Sequence, residues 1–167
     1  MMIKYQRFLI RVLVIIGCLL WFPVQADDLV RPDPSIGPDE VVAIQLMGLK
    51  NNDIIETDFG IRQAWNFAHP RNRMTTGPFP NFLKIIRGPG YSSLLNHKSH
   101  EIRTGRGLSE GKTDNGEMWQ QFDVLMETVN GDILYFSWMV QKVVSGQFQD
   151  CWMTISVSSP RPAGQSG

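Results

Sequence analysis

The stretch TDNGEMWQQFDVLMETVNGDILYFSWMVQKVVSGQFQD, residues 113–150, decides the fold. Within it, Asn115-Gly116, Asn130-Gly131 and Ser145-Gly146 recur every 15 residues between apolar or alternating runs. Asn-Gly is a strong hairpin signal because both residues of a two-residue hairpin turn take positive φ. Three hairpins predict a meander of four antiparallel strands over residues 98–112, 117–129, 132–144 and 148–158.

The two central strands are predicted to bury one face, because their apolar residues alternate along the chain. Asp123 and Glu127 fall on the opposite face. Gly105, Gly107 and Gly111 interrupt the first strand, so we expect its pairing to be irregular. The predicted core face consists of Met118, Phe122, Val124 and Met126 from the second strand and Leu134, Phe136, Trp138 and Val140 from the third.

Three helices are predicted upstream of the strands. Asp39 is expected to cap a helix that runs to about Lys50, and Asp58 a second helix that Pro70 stops. A third, short helix follows from the i, i+3, i+4, i+7 spacing of apolar residues between Phe79 and Ile86. The predicted fold is therefore α+β, with three N-terminal helices packed on a curved four-stranded antiparallel meander.

The N-terminus has the three-part layout of a secretory signal peptide: basic residues, an apolar run and small residues before a cleavage point after Ala26. We expect a signal peptide over 1–26, an extended leader over 27–38, the domain over 39–158 and a flexible tail over 159–167. The expected location is periplasmic or secreted. In the alternative, a lipoprotein box ending at Cys18 leaves the domain anchored to a membrane through an acylated cysteine.

Short motifs spread over residues 40–157 carry a resemblance to a known family. They are the run from Val42 to Leu46, Asn52-Asp53, Asp58-Phe59-Gly60-Ile61, Trp65-Asn66-Phe67-Ala68, Thr76-Gly77-Pro78 with Phe82, the run from Tyr91 to His97, and Cys151-Trp152. In these motifs the chain resembles the family called domain of unknown function 4864. That family is similar in architecture to the nuclear transport factor 2-like cone, so the resemblance implies a curved sheet and three helices around a pocket. It implies no particular activity.

Charge is uneven along the chain. Residues 69–112 hold eight basic residues against two acidic ones, whereas the segments on either side are acidic. A basic middle segment is compatible with an anionic ligand at the rim of a pocket. The net negative charge that remains after signal cleavage and the export signal argue against nucleic-acid binding.

Four residues are candidates for acid-base chemistry: His97, His100, Asp123 and Tyr135. Asp123 and Tyr135 are expected on the face opposite the core. His97 and His100 are expected to point to opposite faces of a strand, which argues against a shared metal site. We expect His97 to bond to the backbone where the helices give way to the strands. It is a weak candidate for a catalytic base.

Cys151 is the only cysteine that remains after signal cleavage, and we expect it to be buried and inert. The chain contains no nucleophile elbow, phosphate loop, dinucleotide fingerprint or zinc-protease motif. We therefore expect no metal and no cofactor.

The favoured function is non-enzymatic binding of a small apolar or anionic ligand, or of a protein partner, in the pocket. Trp65, Tyr91, His97, Trp138 and Trp152 are the predicted ligand-binding residues, because ligand sites are mostly apolar with a few polar groups. One alternative is a cofactor-free isomerase, dehydratase or hydrolase with His97 as base. Another is a structural module that forms a homodimer.

Overall fold

The computed structural model describes residues 29–104 and 109–163. The predicted signal peptide, Cys18 and residues 105–108 lie outside these ranges. The described chain is α+β, which confirms the predicted class. Its helical elements are α1 (Pro38–Lys50), α2 (Phe59–Asn66), α3 (Pro70–Thr76), α4 (Phe79–Arg87) and a 3-10 turn at Ser92–Leu94.

A single antiparallel sheet forms the second half of the domain. Its main path runs β1-β3-β4-β5, and two shorter strands, β2 and β6, pair with β3 and β4 respectively. Each successive strand of the main path lies beside the previous one, as in the predicted meander. The strands are β1 (Ser99–Thr104), β2 (Glu110–Lys112), β3 (Met118–Glu127), β4 (Ile133–Lys142), β5 (Trp152–Val157) and β6 (Arg161–Pro162).

The predicted first strand is split into β1 and β2, which follow one another along the same edge of β3. Thr104 pairs with Phe122 and Glu110 pairs with Gln120. Between these two pairs, the Gln121 amide donates to the Ser109 carbonyl at 2.7 Å. The irregular pairing predicted at Gly105 and Gly107 lies outside the described residues, and Gly111 pairs with Trp119.

Glycine takes positive φ at all three hairpin turns, and Asp150 does so as well in the third connection, with φ of 66°. Gly116, Gly131 and Gly146 have φ of 79°, 88° and 85°, whereas the residues before them do not have positive φ. The amide of Gly131 donates to the Thr128 carbonyl at 3.0 Å, and the Thr128 hydroxyl accepts from the Asp132 amide at 3.1 Å. The turn around Gly116 repeats this arrangement. These two turns are three-residue loops with a left-handed glycine, so the expectation of two positive-φ residues is wrong.

Four α-helices are present among the described residues, where the sequence predicts three. Pro70 was predicted to stop the second helix. In the structure α2 already ends at Asn66, and Pro70 is the first residue of α3. Proline suits the first position of a helix because the amide it lacks has no partner there. The His69 Nδ1 atom caps the new helix by accepting from the Arg71 amide at 3.1 Å.

Neither aspartate predicted as a helix cap acts through its side chain. Gly37, not Asp39, occupies the cap position of α1. Asp58 does precede α2, but it has a left-handed backbone and no capping hydrogen bond. Its carboxylate instead binds Arg87 of α4 at 2.7 Å.

Both ends of the described chain are held by the domain. Val30, in the predicted leader, exchanges two hydrogen bonds with the Gln63 side chain at 2.8 and 2.9 Å. A flexible tail is predicted from residue 159, but Arg161–Pro162 pair with β4 and the Ala163 amide donates to the Ile133 carbonyl at 2.9 Å. The ordered sheet thus extends beyond β5.

The helices cover one face of the sheet, and the main core lies between them. Met118 lies at the end of its strand and is 46% exposed, so it extends beyond this core. Leu134 is partly buried against it. The other predicted inward-facing residues are buried: Phe122, Val124, Met126, Phe136, Trp138 and Val140.

The close crossing of α1 and α2 depends on a glycine. A Cβ atom at Gly60 would lie 2.0 Å from the carbonyl oxygen of Gly48. Only glycine permits that approach.

No helix in the described part of the chain has the length and apolar character needed to cross a membrane.

Candidate functional site

A cavity of about 230 Å³ lies between the helices and the last strands of the sheet. One wall is apolar and comes mainly from α4 and the 3-10 turn. The other wall carries polar groups from α1, α3 and β5. The apolar wall includes Leu49, Phe82, Ile85, Ile86 and Leu94, and the polar one includes Gln45, Asn72, Thr75, Thr76, Thr154 and Ser156.

Three buried side chains form a hydrogen-bonded cluster beside this cavity. The Trp138 indole Nε1 donates to both Gln45 Oε1 and Thr154 Oγ1 at 3.1 Å. Thr154 Oγ1 in turn donates to Gln45 Oε1 at 2.5 Å, and Gln45 Nε2 donates to the Ala64 carbonyl at 2.8 Å. We call Gln45, Trp138 and Thr154 the amide cluster. It ties α1 to the inner face of the sheet.

Two further polar side chains lie against the cavity. The Tyr91 hydroxyl donates to the Val157 carbonyl at 2.9 Å, which fixes its ring beside β5. Asn72 of α3 donates from Nδ2 to the Thr154 carbonyl at 3.2 Å. Two carboxamides, from α1 and α3, therefore meet at Thr154.

The cavity contains no ordinary acid-base machinery. Among the described residues that line it, none is Asp, Glu, His, Cys, Lys or Arg. Tyr91 is the sole ionisable type in this lining, and its hydroxyl is occupied by a backbone carbonyl. A base or nucleophile for chemistry on a bound molecule would have to come from elsewhere.

Two of the five predicted ligand-binding residues line the cavity, and three do not. Tyr91 and Trp138 line the cavity, but Trp65, His97 and Trp152 are not in the lining. Trp65 packs against Phe79 and Phe82, with ring centroids 6.1 and 5.0 Å apart. Trp152 is partly buried against the main core.

Arg73 lies over the ring of Trp65. Its guanidinium lies 5.0 Å from the centre of the Trp65 ring and 5.2 Å from that of Phe148. The same group donates to the carbonyls of Trp65, Asn66 and Ala68 at the end of α2. Arg73 therefore closes the end of α2 and holds Trp65 in the packing.

His97 and His100 form a pair, contrary to the expectation that they point to opposite faces. His97 precedes β1 rather than lying in it, so the strand alternation does not apply to it. Its Nε2 atom is 2.7 Å from His100 Nδ1, and its Nδ1 atom is 2.8 Å from the Leu94 carbonyl. The predicted bond between His97 and the backbone is confirmed. We call these two residues the histidine pair.

The partners of the histidine pair fix its tautomers. A carbonyl only accepts, so His97 carries a proton on Nδ1 and offers the lone pair of Nε2 to the N–H of His100. Burial lowers the pKa of His97. Burial also lowers the pKa of His100 to about 4, with further contributions from His97 and from the cation of Lys50. The pair is neutral at pH 7.

Asp123 and Tyr135 also meet, on the outer face of the sheet where alternation places them. The Tyr135 hydroxyl donates to an Asp123 carboxylate oxygen, and Asp123 is buried although it faces away from the helices. The guanidinium of Arg161 lies 5.0 Å above the Tyr135 ring. β6, which carries this arginine, thus covers the pair from outside.

Three cations of the basic middle segment form ion pairs with carboxylates from outside it. Arg71 pairs with Glu117 and Lys98 with Glu127, both at 2.6 Å, and Asp58 neutralises a further arginine of α4. These carboxylates come from the acidic segments on either side of the basic one. No described residue that lines the cavity is basic, so the charge pattern along the sequence does not place a cation in its lining.

Cys151 is buried in a small cluster with Val143, Met153 and Phe148, as expected. Burial raises the pKa of its thiol, and the nearby carboxylates of Asp33 and Asp150 raise it further. A thiol held in its neutral form is a poor nucleophile.

Gln45, Asn72 and Thr154 are site residues that sequence reasoning missed. Gln45 gives one signal that was available: it lies four residues from both Val41 and Leu49, in the middle of the buried stripe of α1. A polar side chain in such a stripe needs a buried partner. Asn72 and Thr154 give no comparable signal.

The comparisons with known proteins add no relative. No family model, no curated protein and no solved structure matches the chain. In the described residues, no group of three or more His, Cys, Asp or Glu side chains is placed to hold a metal ion.

Proposed function

We propose that the domain binds a small, neutral and mainly apolar molecule in the cavity between α4 and β5. The observation that carries the proposal is a cavity of about 230 Å³ whose described lining contains no charged side chain. A cavity of that kind favours molecules that lose little hydration on entering it.

The size of the cavity limits the ligand. An apolar cavity of about 150 Å³ accommodates benzene. The volume here therefore fits a molecule of about nine to twelve non-hydrogen atoms, such as one carrying a substituted aromatic ring or a compact bicyclic system. Drug-sized ligands need larger pockets.

Charge favours a neutral ligand over the anionic one that the sequence also suggests. Ion pairs with carboxylates already engage Arg71, Arg87 and Lys98. Arg73 donates to backbone carbonyls and lies over aromatic rings. A buried carboxylate without a cation would be costly.

Binding is also favoured over the alternative of catalysis by His97. That side chain is buried between a backbone carbonyl and His100, outside the cavity lining.

We place this binding domain outside the cytoplasm, after cleavage following Ala26. We also regard the cavity as the pocket of a nuclear transport factor 2-like cone. Both statements rest on the sequence.

Naphthalene is a suitable probe because it is neutral and has no hydrogen-bonding group. Ser156 is exposed on β5 and lines the cavity, so the substitution Ser156→Trp places an indole at the opening. Thr104→Trp, at an exposed strand position outside the lining, is the matched control. Binding is measured by ligand-observed NMR.

We expect wild type and Thr104→Trp to bind naphthalene alike, and Ser156→Trp to bind at least about tenfold more weakly, which is the loss of about 1.4 kcal/mol. If all three proteins bound naphthalene equally, the binding site would lie outside this cavity. Absence of binding to wild type would refute the proposal.

A further inference from the structure

We infer that the ligand carries a neutral carbonyl group whose oxygen accepts a hydrogen bond from Gln45. The inference rests on the proposed function, because it assumes that the ligand occupies the same cavity. It adds the chemical class of the ligand and the residue that recognises it.

The orientation of the Gln45 carboxamide is fixed by its partners. The indole N–H of Trp138 can only donate, so the atom 3.1 Å from it is the amide oxygen. The Ala64 carbonyl can only accept, so the atom 2.8 Å from it is the amide nitrogen. A flipped side chain would lose both bonds.

Gln45 then has one hydrogen-bonding position left. Its oxygen accepts from Trp138 and from Thr154, which occupies both lone pairs. Its nitrogen carries two hydrogens, and only the one bound to Ala64 has a partner among the described residues. The side chain is 3% exposed and lines the cavity. An unsatisfied N–H in such a place costs stability unless a molecule in the cavity accepts it.

Asn72 adds a second donor at the same end of the cavity. One hydrogen of its amide goes to the Thr154 carbonyl, and the other has no partner in the described part of the chain. The neighbouring hydroxyls of Thr75 and Thr76 are already donating, to helix carbonyls at 3.1 and 2.9 Å. The unused donors of this wall are therefore the two amide N–H groups and the hydroxyl of Ser156, which is exposed to solvent.

Unused donors opposite an apolar wall define the chemistry of the ligand. A carbonyl oxygen has two lone pairs and can accept from both amides. A carboxylate could also accept, but no cation in the described lining compensates its charge. A pure hydrocarbon would leave the N–H of Gln45 unsatisfied. The ligand class that fits is a small ketone or amide with an apolar body.

Three probes of nearly the same shape separate these possibilities. Acetophenone has the carbonyl group, α-methylstyrene replaces its oxygen by a CH₂ group, and benzoate carries a negative charge. Their dissociation constants are measured by ligand-observed NMR with the full protein. Acetophenone is expected to bind roughly three- to tenfold more tightly than α-methylstyrene, as one hydrogen bond allows. Benzoate is expected to bind more weakly than either.

Gln45→Met tests the donor itself. Methionine has a similar length and no N–H, so the preference for acetophenone over α-methylstyrene should fall to about onefold. The matched control is Gln63→Met. Gln63 is a second buried glutamine whose amide also bonds to the backbone, but it contacts Val30 and does not line the cavity. This variant should keep the preference.

The outcomes distinguish the inference from the function on which it rests. If wild type binds neither neutral probe, the proposed function fails. If it binds acetophenone and α-methylstyrene equally, binding in the cavity stands and the carbonyl inference is wrong. A preference for benzoate, or an unchanged preference in Gln45→Met, also overturns the inference. If Gln45→Met does not fold, the comparison of acetophenone with α-methylstyrene on wild type still tests whether the ligand needs a carbonyl group.

Discussion

The amide cluster and the histidine pair are both hydrogen-bonded and shielded from solvent, fully at His97 and partly at His100, but they differ in what surrounds them. The amide cluster borders a cavity and contains no ionisable group. The histidine pair can ionise, but it is held between a backbone carbonyl and a strand and lies outside the cavity lining. The cavity beside the amide cluster and the histidine pair are thus separate features of the domain.

The difference explains why binding is the function we favour. General acid-base catalysis requires a titratable group within reach of the bound molecule. Here the groups within reach are amides, hydroxyls and aromatic rings, which recognise a ligand without transforming it. The histidines instead contribute to stability, in a manner that depends on pH.

Removing the Trp138 side chain is expected to have the largest effect. Trp138→Ala should lower the free energy of unfolding by about 3–5 kcal/mol, because a buried indole is lost and a cavity is left. Trp138→Phe keeps most of the ring and removes the N–H, so we expect a loss of about 1–3 kcal/mol. Urea unfolding measures both. A Trp138→Phe variant as stable as wild type would mean that the hydrogen bonds of the amide cluster contribute nothing.

Acid is expected to act on the histidines and not on the amide cluster. Burial lowers the pKa of His97 and brings those of His69 and His100 to about 4, so the unfolded chain binds protons more tightly than the folded one. The stability that the neutral side chains provide is complete above pH 6.5 and is lost as the pH falls from 6.5 towards 4. Thermal unfolding over this range should show a falling midpoint.

Two conservative variants test whether His100 and His69 cause the loss of stability in acid. His100→Gln retains a donor for the Nε2 atom of His97, and His69→Asn retains a side chain that can cap α3. Each should leave the stability at pH 8 nearly unchanged and reduce the loss between pH 6.5 and 4. An acid response as steep as that of wild type in both variants would contradict the assigned pKa directions.

The strands were more predictable than the helices. Glycine spacing locates the hairpins, because a left-handed turn residue has few substitutes. The alternation of apolar residues identifies the buried face of β3 and β4. The fourth helix, α3, was missed because Pro70 both ends one helical pattern and starts another. A proline alone does not distinguish these roles.

The site was less predictable because it is assembled from distant segments. Gln45 lies 93 residues from Trp138 and 109 from Thr154 along the chain. Local patterns identify Trp138 as inward-facing but not its partners. Similarly, no local rule predicts that His97 and His100 meet, because one lies before the strand and the other within it.

Titrating acetophenone into ¹⁵N-labelled protein tests the central claim most directly. The indole N–H of Trp138 and the side-chain amide of Gln45 report on the cavity, whereas the ring nitrogens of His97 and His100 report on the histidine pair. Our account predicts saturable shifts of the Trp138 and Gln45 signals and unchanged histidine signals. Shifts confined to the histidines, with those of Trp138 and Gln45 unmoved, would contradict it.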